Sequence, residues 1–205
     1  MAIIRLDIKI VVKLITRQVD VNQRDLQTGD SPIHTLVNNF MKNMLAARKI
    51  LEFLANAGAD LNVKNYEGWT PMHLAVRKGS LDIVEALLSL RGLTLTQEQL
   101  DLNVQGGSQL MTPLHLACCS NLYRIVYLLI AGDSDLFLHN LEGKSSLTVI
   151  NNNLLMMKIV KKGMTCFVRD AFEDSQKKPK EHHLTSNYLL QRLTQKYILG
   201  SGGKT

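Results

Sequence analysis

Three stretches of this chain repeat one another. Residues 29–37 read GDSPIHTLV, residues 68–76 read GWTPMHLAV, and residues 110–118 read LMTPLHLAC. A degenerate fourth, GKSSLTVIN, begins at Gly143. Self-similarity at intervals of a few tens of residues confines a chain to stacked or radially repeated architectures. In such folds one unit is too thin to bury its own apolar face, and a core exists only where units share it. The reference positions are Pro32, Pro71 and Pro113, with Ser146 in the same place in the fourth copy, at separations of 39, 42 and 33 residues.

A second marker resolves the irregular spacing. An apolar pair, Ile83-Val84 and then Ile125-Val126, begins 12 residues after Pro71 and Pro113. In the first copy the matching Ile50-Leu51 lies 18 after Pro32, so six extra residues sit near 40–46. In the second copy the surplus falls within 90–101, after the second helix. The basic unit is 33 residues, two helices and a loop, with insertions confined to connections. A third marker closes each unit: VDVN ending at Asn22, GADLN at Asn62 and LDLN at Asn103. Counting back 12 from Asn22 reaches Ile10-Val11, the expected second helix of an earlier unit. This accounts for the apolar first residues better than a signal peptide, since Arg5, Asp7, Lys9 and Lys13 interrupt the run and no small-residue cleavage site follows. A mitochondrial presequence is the harder alternative to exclude. An apolar half-unit with no polar outer face implies either a fragment of a longer protein or a partner that covers it.

The tetrad Thr70-Pro71-Met72-His73, the pair Ile83-Val84 and the closing Gly58-Ala59-Asp60-Leu61-Asn62 resemble the ankyrin repeat. The resemblance covers about residues 6–163. It implies an all-α solenoid of about four helix-turn-helix units joined by β-hairpin-like loops, followed by a helical C-terminal extension. The expected domains are an array at 1–163 (half repeat 1–25; repeats at about 26–64, 65–106, 107–139 and 140–163) and a basic linker with an amphipathic helix at 164–205. The physics of the motif agrees: threonine caps a helix, and proline suits a first turn that needs no N–H. Leu110 stands where Gly29 and Gly68 stand, after QGGSQ, so the third hairpin is expected to be reshaped. In the fourth copy Ser145-Ser146-Leu147-Thr148 replaces the tetrad, and a second helix at about 154–162 carries outward lysines, as expected of a cap.

The net charge of +6 is unevenly placed. Residues 1–157 carry 14 Lys and Arg against 14 Asp and Glu; residues 158–205 carry 10 against 4. A basic tail after a neutral body implies an acidic partner or a solvated extension. Aromatic interleaving in the tail is slight, which argues against nucleic acid. No run of about 18 apolar residues predicts a membrane span. Residues 184–199, LTSNYLLQRLTQKYIL, have apolar residues at helical spacing; packing back on the array ranks ahead of docking into a partner's groove or lying on a membrane. Cys118, Cys119 and Cys166 form no disulfide framework, which predicts reduced thiols in the cytoplasm, with nuclear, cytoskeletal or ciliary placement as alternatives.

Candidate chemistry is sparse. His34, His73 and His115 recur at one repeat position, but equivalent residues of stacked helices lie about 10 Å apart, too far for shared zinc ligation. They read as hydrogen-bonding turn residues. His182-His183 have no Cys or acidic partners that complete a site. The ending GSGGKT lacks the phosphate-loop glycine, since Ile198 stands there. Adjacent Cys118-Cys119 read as packing on an inner helix. In the family, Asn22, Asn62 and Asn103 resemble asparagines accepted by asparaginyl hydroxylases, but bonding to the loop backbone is the favoured reading.

No catalytic residue, cofactor or metal is expected. The resemblance implies a non-enzymatic scaffold or adaptor that binds another protein through its concave face, as in a subunit of a cytoskeletal or ciliary assembly. The alternative is a targeting fragment of a larger enzyme or a transcription-factor inhibitor. The expected binding face comprises Lys64, Asn65, Tyr66, Glu67, Trp69, Arg77 and Lys78 in the second unit. The third unit contributes Gln105, Ser108, Gln109, Met111, Cys119 and Asn121, and the fourth His139, Asn140, Leu141, Glu142 and Lys144. Tyr66 and Trp69 stand out, being aromatics with basic neighbours; partial burial of Trp69 against the adjacent hairpin is the competing reading.

Overall fold

The computed structural model describes residues 3–91 and 100–151. The basic extension, the expected helix at 154–162 and most of the surplus at 90–101 lie outside the described residues.

Eight α-helices occur among the described residues: α1 (Ile8–Thr16), α2 (Pro32–Asn39), α3 (Met44–Asn56), α4 (Pro71–Arg77), α5 (Leu81–Leu88), α6 (Pro113–Cys119), α7 (Tyr123–Ala131) and α8 (Ser146–Asn151). Pro32, Pro71 and Pro113 each open a helix at its first position. At α4, Thr70 Oγ1 accepts the His73 N–H while His73 Nδ1 accepts the Thr70 N–H, and Thr112 and His115 repeat this reciprocal cap at α6. Two backbone donors that a helix start leaves orphaned are thus satisfied inside each tetrad.

The helices form two layers. In the inner layer α2 packs on α4, α4 on α6 and α6 on α8; in the outer layer α1 packs on α3, α3 on α5 and α5 on α7. Within units, α2 pairs with α3, α4 with α5 and α6 with α7. The core lies between the layers. Ile33, Leu36, Ile50, Met72, Ile83, Val84, Leu87, Leu114, Val126 and Leu129 are fully buried there. Each large side chain so buried contributes about 1.5–3 kcal/mol.

The six-residue insertion of the first unit splits in two. A 3₁₀ turn at Phe40–Lys42 drops Phe40 into the core, and Asn43 then caps α3 by accepting the Ala46 N–H at 3.1 Å. The rest lengthens α3 to 13 residues, against 8 for α5 and 9 for α7. Met41 and Leu45, on the same insertion, remain exposed.

The hairpins between units are thin. Among the described residues their only ladder pairs are the isolated bridges Gly106–Met111 and His139–Ser145. The third hairpin is reshaped in length but not at its closing residue. Leu110 adopts φ +50°, the left-handed backbone that Gly29, Gly68 and Gly143 adopt at +70°, +80° and +70°. A leucine there costs about 1–2 kcal/mol of backbone strain, which the surrounding hairpin holds in place.

Candidate functional site

The repeated histidines are buried and fully engaged. His34 Nδ1 lies 3.1 Å from the Ser31 backbone nitrogen, His73 Nδ1 3.3 Å from that of Thr70, and His115 Nδ1 3.2 Å from that of Thr112. A backbone N–H can only donate, so each Nδ1 accepts and each ring carries its proton on Nε2. That proton points into the next unit. His34 donates to the Trp69 carbonyl at 2.9 Å, His73 to Met111 at 2.9 Å and His115 to Lys144 at 3.1 Å. Both nitrogens of every ring are therefore occupied. Burial pushes all three titrations down, that of His73 to about 4, so the rings are neutral bridges at pH 7.

The closing asparagines make a second ladder. Asn22 Oδ1 accepts the Asp60 N–H at 2.8 Å, Asn62 Oδ1 the Asp101 N–H at 2.8 Å, and Asn103 Oδ1 the Asp135 N–H at 2.7 Å. Asp20, Asp60 and Asp101 in turn each accept the N–H two residues on. These asparagines bond the backbone of the following unit, and not only their own loop. Phe137 takes the corresponding place at the close of the third unit.

The expected binding residues divide into structural and exposed sets. Asn65 accepts from the Glu67 and Trp69 N–H groups and donates to Asp30 Oδ1 at 2.9 Å. Asn140, buried, accepts from the Glu142 and Lys144 N–H groups. Gln105 Nε2 donates to the carbonyls of Leu110 and His139. These three side chains shape hairpins and have little left to offer a partner. Trp69 is half-buried: its ring lies over Gly107, where a Cβ would fall 2.1 Å from Cη2, and Arg77 stacks above it at 5.1 Å. Met111 is half-buried as well.

The exposed set is Lys64, Tyr66, Glu67, Arg77, Lys78, Ser108, Gln109, Cys119, Asn121, His139, Leu141, Glu142 and Lys144. Arg77 pairs with Glu67 at 3.4 Å and Lys144 with Glu142 at 2.8 Å. The bond to Glu142 holds the Lys144 ammonium above its ordinary range. Such surface pairs add little stability and open readily to another charge. Burial pushes the Cys118 thiol up to about 12 and raises Cys119 too, so neither is an activated nucleophile.

One pattern was missed in reading the sequence. Each hairpin carries an exposed apolar side chain: Leu26 at 91% exposure, Tyr66 at 63%, Leu110 at 43% and Leu141 at 64%. The tips are tied together by backbone bonds, Tyr66 N–H to the Thr28 carbonyl, Gly107 N–H to Gly68 and Leu141 N–H to Gln109. Leu26 and Leu110 could have been found by asking which large apolar residues fall inside loops.

A family model for ankyrin repeats (3 copies) matches residues 1–99 and 45–140. The chain belongs to the ankyrin-repeat family. It is 30% identical over 127 residues to an ankyrin repeat protein of Fowlpox virus (strain NVSL), covering 60% of this chain and 33% of that one. It is 29% identical over 119 residues to the transient receptor potential cation channel subfamily A member 1 of Drosophila melanogaster, 58% of this chain and 9% of the channel. It is 34% identical over 68 residues to inversin of Gallus gallus, 33% of this chain and 6% of inversin. The chain thus spans a third or less of these relatives. Ankyrin repeats are a protein-interaction module, and no helix among the described residues is long and apolar enough to cross a membrane.

Proposed function

We propose that the ankyrin array is a non-enzymatic scaffold that binds a protein across its inner helices and hairpin tips. The observation that carries this reading is a division of labour. The recurring chemical groups, the histidines and closing asparagines, are consumed in holding units together, whereas each of the four hairpins keeps one large apolar side chain in solvent. Apolar tips beside Lys64, Arg77, Lys78 and Lys144 suit a partner with apolar anchors and acidic flanks. Arg77 and Trp69 act as one stacked unit in that face.

The assignment extends to an adaptor in a cytoplasmic, cytoskeletal or ciliary assembly, with the basic residues 158–205 meeting an acidic partner. The domain division is an array to about residue 163 followed by the extension. A second reading, a recognition segment of a larger enzyme or channel, is favoured by one fact: the matched segment is 9% of the channel and 6% of inversin.

The test is affinity capture with wild type beside a Leu26→Ser, Leu141→Ser double variant. Both side chains are largely in solvent, so folding is preserved. Loss of the captured proteins with an unchanged melting temperature supports the face; equal capture rejects it.

A further inference from the structure

The two edges of the array differ in charge. Helices paired within a unit are joined by short turns at one edge, and the hairpins between units lie at the other. Each hairpin carries carboxylates, Asp25, Asp60, Asp101 and Asp135 among them. The turns carry none: they read FMKN at 40–43, KGS at 78–80 and SNL at 120–122. The helix starts that leave this edge add Arg48, Lys49 and Arg124, against a half-buried Asp82. Glu52 and Glu85 stand about one further turn from the edge.

One part of the turn edge projects. Helices α5 and α7 begin at Leu81 and Tyr123, two residues before their apolar pairs, whereas α3 begins at Met44, six before Ile50. The additional residues lengthen α3 by about 6 Å toward the edge. On this extension and the 3₁₀ turn before it, Met41, Met44 and Leu45 are 59%, 42% and 70% exposed. Leu45 has Arg48 and Lys49 as its neighbours one helical turn on. Ser80 Oγ donates to Met41 Sδ at 3.5 Å, which ties the tip to the loop that holds Lys78. An apolar projection is thus set among cations, at the edge whose turns lack carboxylates.

We propose that this turn edge docks on an anionic lipid surface, with Met41, Met44 and Leu45 entering the acyl boundary and Lys42, Lys49 and Lys78 among the headgroups. Apolar side chains beside basic ones are the pairing that an anionic bilayer surface holds. Two observations favour lipid over a protein occupant. The tip is a projection and not a groove, and its polar side chain Asn43 is consumed in capping α3, so little remains to fix a protein's register. Its cations come from two successive units, as an extended charged plane requires. The turn edge lies away from the hairpin tips, so the proposal stands independently of the scaffold reading.

The test is co-sedimentation of the full chain with vesicles of phosphatidylcholine containing about a third phosphatidylserine, beside vesicles of phosphatidylcholine alone. Binding is expected to the first and not the second, and to weaken as salt is raised. Residues 158–205 are basic and can reach the same vesicles, so the deciding variants lie in the tip. Met41→Ser with Leu45→Ser, both at exposed positions, should keep the melting temperature and bind about tenfold more weakly. Lys42→Ala with Lys78→Ala should lose about as much. A Leu45→Trp chain should gain blue-shifted emission on the anionic vesicles, whereas Trp69 of the wild type should not shift. Four results overturn the proposal: no binding to anionic vesicles, which would leave the tip to a protein partner; equal binding by the Met41→Ser, Leu45→Ser chain, which would assign the contact to residues 158–205; an equal loss in the Leu26→Ser, Leu141→Ser chain; or unshifted emission from Leu45→Trp.

Discussion

His73 Nε2 donates to the carbonyl of Met111 across 2.9 Å, joining residues 38 positions apart in sequence and in successive units. Through its other nitrogen the same ring receives the Thr70 N–H that starts its own helix. One neutral side chain thus caps a helix and fastens a unit to its neighbour. A Leu-for-His swap would keep the volume and forfeit both bonds.

His73→Ala should therefore cost more than a typical buried truncation. It removes two hydrogen bonds worth about 1 kcal/mol each and leaves the Thr70 donor buried and unpaired. It also opens a cavity in a fully buried position. A loss of about 3–4 kcal/mol is expected in urea unfolding. A loss under about 1 kcal/mol would mean that the ladder does not hold the units together.

The same histidines set an acid limit. Unfolded, they titrate near 6.5; folded, all three are lowered by burial, His73 to about 4. Between those values the unfolded chain takes up protons that the folded chain refuses. Stability is thus complete above about pH 6.5 and falls as pH drops toward 4, on the order of 3 kcal/mol for His73 alone. Urea midpoints measured from pH 7.5 down to 4.5 should fall steadily, and His73→Gln should flatten the slope. A profile flat through this window would refute the neutral-bridge assignment.

Trp69 and Gly107 make a second contact between units that can be watched directly. Gly107 has φ +66°, and an added Cβ would lie 2.1 Å from the indole. Gly107→Ala must move the ring and strain the backbone, at an expected cost of about 2 kcal/mol. Because Trp69 is the single tryptophan, its emission should shift to the red in the variant. An unchanged spectrum would mean that the ring does not rest on this glycine.

These contacts mark the limit of what the residues revealed in advance. Period, helix starts and the hydrogen-bonding role of the repeated histidines were legible, because proline, threonine and histidine act within one tetrad. The direction of His73 Nε2 was not, since its partner lies in the next unit and depends on how units are offset when stacked. Trp69 over Gly107 was only half legible: a tryptophan in a loop signals a surface, but the glycine that receives its face belongs to another hairpin. In the first-unit insertion, Phe40 and Met41 are both large and apolar, yet one is buried and the other exposed. A 3₁₀ turn decides between them, and no periodicity announces it.

The fourth unit offers the converse experiment, a substitution that should stabilise. Ser146 occupies the place of Pro32, Pro71 and Pro113, opens α8, is fully buried, and its hydroxyl finds no partner among the described residues. A first-turn position needs no N–H, so proline removes an unsatisfied hydroxyl without forfeiting a helical bond. It also restricts the unfolded chain in favour of the φ that the helix start requires. Ser146→Pro should raise stability by about 1 kcal/mol or more, the sum of the entropic gain and the relieved hydroxyl. Ser146→Ala separates the two, since it removes the hydroxyl alone and should give the smaller gain. If proline proved worse than alanine, the start of α8 would not share the geometry of the earlier units, and its equivalence to α4 and α6 would fail at that residue.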